Sequence, residues 1–574
     1  MALSPSLPPS APDRRSRESL ERARARYRYR TPEHNQLHPI STAESWPRWS
    51  EGYSPSWYLR MGPGYLAAQV SRYAKMLRFG FQAATFRFDK MRGYEQVLSG
   101  PLPPFAREPE RDDAFATWRI AGPNPLVLAQ ERDFAALCRK IPLARERIEP
   151  RLAARLKRPV SLEKEAEAGR LFAADFRLIQ QSLRPARDPC RADPTRDSRW
   201  RAKYLPAPIG VFLEAPGFHA RSALVPLAIQ IDQPQPEPEH NPVYYPDDGW
   251  AWRIAKAYLE VADVSFNAGC GHVFRTHLLM EPFAMATPRQ LSREHPVYVL
   301  LRPHLRFTLR VNREAYKYFI DRSKTYFDFY AGTLEETRQI AIQSCLERGF
   351  LELELEAELA SRGVQEAPAD YPYRDDARLW RQPIRDFVTA YVEAFYRSDP
   401  AVRDDPELQA WAAELMDPAR GAVKKLVPGD RLDAKAKLVA LLAQVLFTAG
   451  PGHASQHFSS NHYYRYAPAF PGAAHAPPSW QGDRAHEARF RNLLPPIRTA
   501  ARQWSYNTFT NYRHDRFGHY DRYPLGRLPQ AAEPIRRLHA ALEAVEREIL
   551  ERGRKRPYPY EFLLPSRVPN SINI

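Results

Sequence analysis

Four histidines lie close together in one apolar stretch, and they constrain this chain more than any other feature. His272 and His277 lie five residues apart, and His295 and His304 follow eighteen and nine residues later. No Pro or Gly interrupts residues 252–268, and most side chains there are apolar. Such a run predicts a long buried helix, because an apolar segment without helix breakers is stable when other elements cover it.

The five-residue spacing of the first two histidines needs a local distortion if both are to face one point. In a regular α-helix, residues five apart point about 140° away from each other. A π-helical turn, whose hydrogen bonds join residues five apart, brings both imidazoles to one side. Gly269 and Gly271 precede His272 and would relieve the crowding. The spacing therefore suggests a π-helical metal site, and the alternative is two histidines satisfied separately in a buried helix.

A second apolar segment, residues 445–458, contains His453 and His457. Residues four apart lie on one face of an α-helix, so both rings point the same way. Two histidine pairs on two apolar helices favour a shared metal site over two coincidences. Imidazole binds iron, copper, zinc and nickel, so the spacing alone does not identify the ion.

Composition and charge limit the other classes of function. The 574 residues are 44% hydrophobic, which is enough for a large core, and the four cysteines form no CxxC pair. The net charge of +17 can attract nucleic acid or an anionic membrane. Because no polybasic block or nucleic-acid motif is present, we expect no nucleic-acid partner. Without a signal peptide or a run of eighteen apolar residues, a cytoplasmic protein is expected.

Several motifs in a fixed order resemble the lipoxygenase family, the non-haem iron dioxygenases of polyunsaturated fatty acids. The similarity extends from about Trp118 to Ile574, which is most of the chain. It rests on the His-x4-His-x17-His-x8-His array, the runs Thr276–Leu278, Glu281–Phe283 and Arg289–Leu291, the HASQH segment at 453–457, and the terminal PNSINI. A lone HxxxxH would be weak, whereas these elements in this order are specific.

The resemblance implies a mainly α protein: a single large helical lipoxygenase-type catalytic domain with a few short strands and the metal on central long helices. We expect that domain at residues 111–574, after a Pro/Arg-rich flexible segment at 1–50 and a helical, aromatic and basic extension at 51–110. Because the extension is not strand-like, the N-terminal β-sandwich lipid-binding domain is expected to be absent, as in bacterial-type members. Residues 207–215 and 222–232 predict two strands around a turn.

The resemblance also implies the metal ligands. They correspond to the side chains of His272, His277, His453 and His457 and to the α-carboxylate of Ile574. An anionic oxygen offsets part of the ferrous charge, and neutral imidazoles leave the metal redox-active. One non-haem iron per chain is expected, with manganese as the alternative.

Five positions correspond to residues around the ligands. His295 and His304 match family histidines that do not bind the metal. Asn267 stands where the family usually has another His, and Ala268 and Ser460 stand where it usually has Gln. Groups next to the ligands orient them and tune the metal, so these departures bear on rate and redox potential more than on metal binding.

Further residues correspond to the family's substrate pocket. Ala315 matches a position where Ala accompanies S products and Gly accompanies R products, and Phe319 matches a position that clamps the reacting pentadiene. Val273, beside a ligand, is expected to line the same site. Phe327 and Tyr330 are candidates for setting pocket depth, with ordinary core packing as the alternative.

The expected function is dioxygenation of polyunsaturated fatty acids with a cis,cis-1,4-pentadiene. A ferric hydroxide would abstract hydrogen and O2 would add, which gives a conjugated S hydroperoxide. The alternatives are a hydroperoxide isomerase, a manganese-using relative, and a weakly catalytic lipid- or membrane-binding protein. Residues 56–96, aromatic and basic, either pack on the catalytic body or lie against a membrane as a peripheral contact. The expected partners are the fatty acid and O2, and the expected state is a monomer.

Overall fold

A computed structural model describes residues 14–79, 87–88, 91–98, 105, 110–182, 203–233, 241–317, 329–477 and 486–574. The part of the chain that it describes is mainly helical, with two small sheets, so the predicted fold class is confirmed. Two π-helical segments, Asn267–Leu278 and Thr448–Gly452, join α-helices end to end.

The helices and strands are numbered in chain order. The α-helices are α1 Arg14–Arg26, α2 Arg48–Glu51, α3 Pro55–Phe79, α4 Asp112–Ala121, α5 Phe134–Lys140, α6 Arg145–Leu156, α7 Leu162–Glu167, α8 Arg177–Ser182, α9 Trp250–Phe266, α10 Leu279–Gln290, α11 Pro296–Leu305, α12 Thr308–Ala315, α13 Leu334–Glu347, α14 Leu355–Ser361, α15 Pro372–Phe395, α16 Asp399–Arg403, α17 Pro406–Met416, α18 Lys435–Phe447, α19 His453–Tyr463, α20 Glu487–Leu493, α21 Ile497–Phe509 and α22 Pro529–Lys555. The strands are β1 Arg28–Tyr29, β2 Ala43–Ser45, β3 Leu128–Gln130, β4 Leu171–Asp175, β5 Ile209–Glu214, β6 Leu224–Gln230 and β7 Val243–Tyr244.

The larger sheet is antiparallel, with strands β3 to β7 in sequential order. Strands β5 and β6 are the two strands predicted around a turn, and they pair from Ile209 opposite Gln230. Side chains alternate between the faces, as the two-residue period of a strand requires. Leu213 packs against α5 to α7, whereas Phe212 faces the main core. Both faces of the sheet are therefore covered, which accounts for its apolar strands.

Residues 14–50 differ from the flexible segment expected there. Helix α1 and the β1–β2 hairpin lie against α10, where Arg289 donates to the backbone oxygens of Arg24 and Tyr27. Tyr27 is buried and its hydroxyl donates to Glu51 at 2.7 Å. The segment keeps most of its arginines exposed, and it is held to the body by buried side chains such as Tyr27 and by the hydrogen bonds of Arg289. The domain boundaries themselves stay a prediction.

Two long buried helical runs cross the core. The first contains α9, a π-helical segment and α10, and it confirms the long helix predicted from residue 252 onward. The second contains α18, a π-helical segment and α19. This run, Lys435–Tyr463, is long and apolar enough to cross a membrane by composition, but 72% of its most apolar window is buried inside the protein. Its apolar character is accounted for by the core.

A buried ion cluster fixes α9 to α4. The guanidinium of Arg119 lies 2.7 Å from a carboxylate oxygen of Glu260 and 2.9 Å from one of Asp263. All three side chains are buried. Burial raises the pKa of Glu260 and of Asp263, and the guanidinium works against that rise. Because a buried charge is costly unless it is paired, this cluster holds α9 in one position before the histidines begin.

We expect Arg119→Leu to destabilise the protein by about 3–5 kcal/mol, because two buried carboxylates then lose their cation. The melting temperature measured by differential scanning fluorimetry would show this. Arg145→Leu is the matched control: Arg145 pairs with Glu149 on the surface, and its loss should cost at most about 1 kcal/mol. Equal shifts in the two variants would contradict this role of the cluster.

Candidate metal centre and active site

Four imidazoles converge around one point. Nε2 of His272 lies 3.0 Å from Nε2 of His277, 3.3 Å from Nε2 of His453 and 3.1 Å from Nδ1 of His457. Imidazole nitrogens bind metals at about 2.1 Å, and two such ligands at a right angle are about 3 Å apart. The ring nitrogens of His272, His453 and His457 also lie within 4.8 Å of one another. The arrangement therefore fits the ligand set of one ion.

Local helix geometry brings these rings together. The π-helical segment Asn267–Leu278 contains both His272 and His277, which confirms the distortion predicted from their spacing. The second π-helical segment ends directly before His453. At Gly271 an added Cβ would lie 2.8 Å from Oε1 of Gln456 on α19. Glycine at this position thus allows the two histidine-bearing helices to approach each other.

The imidazoles are held in the uncharged form that binds metals. Burial lowers the pKa of all four rings, that of His277 to about 4 and that of His457 to about 3. At neutral pH each ring therefore has a free lone pair. Nδ1 of His453 is buried and has no hydrogen-bond partner in the described part of the chain. Neutral nitrogen donors in this number suit a divalent transition metal.

Hydrogen bonds on the far side of two rings set their orientation. Nδ1 of His277 donates to Oδ1 of Asn312 at 2.8 Å, and Nδ2 of Asn312 donates to Glu281 at 2.7 Å. Glu281 also accepts from the backbone nitrogen of Ala43 in β2 at 2.6 Å. Nε2 of His457 donates to the backbone oxygen of Thr510 at 2.8 Å. These bonds fix which nitrogen of each ring faces the central point.

The three predicted neighbours that depart from the family pattern do not contact a ring. Asn267 donates to the backbone oxygen of Pro123 at 2.9 Å and to Oε1 of Gln456 at 3.1 Å. Ser460 donates to the backbone oxygen of His457 within its own helix. Ala268 is buried in the π-helical segment. The ring contacts come instead from Asn312 in α12, from the backbone oxygen of Thr510 and from Asn461, whose Nδ2 lies 2.9 Å from Nε2 of His457.

The two other histidines of the array are structural. Nε2 of His295 lies 3.0 Å from Asp405, and its Nδ1 accepts from the backbone nitrogen of Val297, where it caps α11. Nδ1 of His304 donates to the backbone oxygen of Asn570 at 2.9 Å, and its Nε2 accepts from Tyr520 at 3.0 Å. His304 therefore holds the end of the chain, and neither ring joins the cluster.

The C-terminal tail is fixed inside the protein by several contacts. The backbone nitrogen of Asn570 donates to Asp515 at 3.0 Å, and Ser571 donates to the backbone oxygen of Arg306 at 2.9 Å. The indole nitrogen of Trp57, in the first turn of α3, donates to the backbone oxygen of Asn573 at 3.2 Å. A chain end ordered in this way is unusual, because termini are mobile unless they are tied down.

A largely apolar cavity of about 330 Å³ opens beside the histidines. Its described lining residues are Tyr53, Trp57, Tyr58, Met61, Tyr65, His272, Val273, His277, Arg310, Val311, Glu314, Ala315, His457, Tyr506, Phe509, Thr510 and Ile574. Its two charged side chains, Arg310 and Glu314, pair with each other at 3.0 Å. The volume falls within the range of about 300–1,000 Å³ that small-molecule sites occupy. An apolar hydrocarbon suits these walls.

The structure brings two of the five predicted pocket residues to this cavity. Val273 and Ala315 line it together with the histidines and Ile574. Tyr330 is not among the lining residues and packs on Phe329, with ring centroids 4.4 Å apart. Phe319 and Phe327 lie outside the described residues.

The sequence does not predict the roles of Asn312 and Trp57 in the site. Asn312 lies 35 residues from the ring that it holds, and Trp57 lies 516 residues from the backbone oxygen that it contacts. No local motif marks either residue. Only the fold places them.

Comparison with known proteins agrees with the geometry. A family model, Lipoxygenase, matches residues 217–492. A linoleate 9/13-lipoxygenase of Pseudomonas aeruginosa is 32% identical over 490 residues, which covers 82% of this chain and 68% of that protein. A hydroperoxide isomerase of Homo sapiens is 28% identical over 480 residues, which covers 81% and 62% respectively. A crystal structure of a lipoxygenase variant with arachidonate has a TM-score of 0.86 at 23% identity and covers 100% of this chain and 83% of that one.

The fold and the histidine cluster define a mainly helical protein with a buried site that could hold a metal ion. The chain belongs to the lipoxygenase family, and it is a dioxygenase of the lipoxygenase type. Members of the family typically use non-haem iron, and the histidine cluster could hold such an ion. Fatty-acid dioxygenation is therefore the activity that the family supports.

We expect Asn312→Leu to lower metal affinity by about 10–100-fold, because the ring of His277 then loses the partner that orients it. Metal content after dialysis against a weak chelator would measure this. Asn507→Leu is the matched control, since Asn507 is also buried but bonds within its own helix. Full metal retention in the Asn312 variant would contradict the orienting role.

Proposed function

We propose that this protein oxygenates polyunsaturated fatty acids to conjugated S hydroperoxides. One non-haem iron per chain would be held by His272, His277, His453, His457 and the α-carboxylate of Ile574. The observation that supports this most is the convergence of four neutral imidazoles beside an apolar cavity, with a nitrogen of each of the other three rings 3.0–3.3 Å from Nε2 of His272. Ile574 lines that same cavity, which supports its carboxylate as the fifth ligand.

Iron in this site would supply the one-electron chemistry that removes a hydrogen atom from the bis-allylic carbon of a 1,4-pentadiene. The protein positions the substrate and excludes water from the cavity. Val273, Val311 and the aromatic rings of α3 and α21 form walls that hold a hydrocarbon chain and exclude water. The mutual pairing of Arg310 and Glu314 leaves these walls without net charge.

The same walls would select the product. Ala315 lines the cavity with His272 and His277, so its methyl group limits which carbon of the pentadienyl radical O2 can reach. This steric argument, with the resemblance at that position, supports an S hydroperoxide.

The first test measures metal, oxygen uptake and conjugated-diene absorbance together, with linoleate and arachidonate. We expect one iron per chain and one diene formed per O2 consumed, and His272→Ala and His453→Ala should lose the metal and the activity. His519→Ala, an exposed histidine outside the cluster, is the control and should keep both. If manganese were found in place of iron, the identity of the metal in this proposal would be wrong. If no metal were bound, the ligand assignment would be wrong.

A C-terminal extension tests the terminal carboxylate. Two residues added after Ile574 should abolish turnover, because the α-carboxylate is then displaced from the histidines while the contacts of Asn570 and Asn573 hold the tail in place. The rate of diene formation is the measurement. The same two residues added at the N-terminus should leave the rate unchanged. A C-terminally extended protein with full activity would exclude Ile574 as a ligand.

Ala315→Gly tests the steric control of O2. We expect a shift toward the R product and toward a neighbouring carbon, because removal of the methyl group opens that side of the cavity. Chiral chromatography of the reduced products measures this. Ala412→Gly, a buried helical alanine outside the cavity, should leave chirality unchanged. Unaltered products from the Ala315 variant would contradict the assignment.

Hydroperoxide isomerisation is the second candidate. It is supported by the similarity to the human hydroperoxide isomerase and by the departures at Asn267, Ala268 and Ser460. Incubation with a fatty-acid hydroperoxide under anaerobic conditions separates the two activities. Loss of the hydroperoxide without oxygen uptake on free fatty acid would favour isomerisation.

A further inference from the structure

One helix accounts for most of the exposed apolar surface. Of the ten large hydrophobic side chains that the described residues expose, seven lie on α3. Tyr58 and Tyr65 of these line the cavity. The other five, Leu59, Leu66, Val70, Tyr73 and Leu77, are 56–83% exposed. We call these five side chains the outer stripe of α3.

The outer stripe is continuous along the helix. At about 100° per residue, its five positions fall within about 60° of the circumference, and they span about 27 Å of helix. The opposite side of α3 is covered: Trp57 and Ala68 are buried, and the ammonium of Lys75 lies 3.3 Å from the ring centroid of Trp504 in α21. Helix α3 is therefore apolar on two sides, whereas a surface helix normally presents a polar side to water.

The basic residues beside the outer stripe indicate which kind of partner binds it. Helix α3 contains three arginines and one lysine and no acidic residue. Arg60 and Arg78 are exposed and lie on the same flank of the stripe, eighteen residues apart. Two copies of this helix, placed stripe to stripe, would bring cations together. Anionic phospholipid headgroups would instead neutralise the arginines while the stripe enters the acyl region.

We propose that α3 docks on anionic phospholipid bilayers through the outer stripe, with Arg60 and Arg78 at the headgroups. Tyr58 and Tyr65 extend from the same helix to the cavity, so docking places this side of the cavity next to the membrane. Uptake of an acyl chain directly from the bilayer would follow only if the proposed function holds. The docking of α3 on vesicles does not depend on that function.

Vesicle flotation with the full-length protein tests the docking. Wild-type protein should float with vesicles of phosphatidylcholine and phosphatidylglycerol and much less with phosphatidylcholine alone. The triple variant Leu59→Ser/Leu66→Ser/Leu77→Ser should bind at least about tenfold more weakly, because three apolar side chains no longer insert. Leu346→Ser/Leu550→Ser, which changes exposed leucines on other helices, is the matched control and should bind like wild type.

Two further measurements keep the result clear. Arg60→Gln/Arg78→Gln should weaken binding to the anionic vesicles but not to vesicles of phosphatidylcholine alone. Added salt should likewise weaken only the binding to anionic vesicles. Oxygen uptake with dissolved monomeric linoleate should be unchanged in the stripe variant, since none of its three residues lines the cavity. Equal vesicle binding by the stripe variant, or no binding by wild type, would overturn the proposal. A stripe-dependent dimer without vesicle binding would also overturn it, in favour of a second copy.

Discussion

The site depends on four buried imidazoles that must stay uncharged and bring a nitrogen of the other three rings within 3.0–3.3 Å of Nε2 of His272. Desolvation provides the first condition, because burial lowers the pKa of every ring in the cluster. The second condition requires helices that are not regular, and π-helical segments occur at both histidine pairs. Gly271 then lets the two helices approach, and the buried partners of Arg119 hold the first of them in place. The position and the protonation state of the four rings are therefore set by the packing of the helices that contain them.

The C-terminal tail also depends on contacts inside the protein. A terminal carboxylate can reach a buried centre only if the preceding residues find partners for their backbone groups. His304 and Asp515 provide such partners from the body and Trp57 provides one from α3, while the side chain of Ser571 donates to the backbone oxygen of Arg306. The histidine array thus serves more than one purpose, because His272 and His277 belong to the cluster, His304 holds the tail and His295 caps α11.

The sequence predicts the site best where the signal is local. The five-residue spacing of His272 and His277 implied a π-helical distortion, and the structure contains it. Ring partners such as Asn312 come from elements distant in sequence, and no spacing rule identifies them. The order of the N-terminal segment was not predicted for a related reason: its Pro- and Arg-rich composition suggested flexibility, whereas contacts such as that of Arg24 with Gln290 arise only in the fold. Long-range pairing of charged groups has no periodicity that a sequence could show.

Helix α3 connects these parts to the surface. Its first turn binds the backbone oxygen of Asn573, its inner side lines the cavity, and its outer side is apolar and exposed. Because Trp57 holds the residue next to the C-terminus, a displacement of the first turn of α3 must either break that bond or move the tail. A surface that covers the outer stripe would therefore act on the same helix that closes the cavity. The exposed apolar side of α3 and its contact with the chain end both follow from its position between solvent and the histidine cluster.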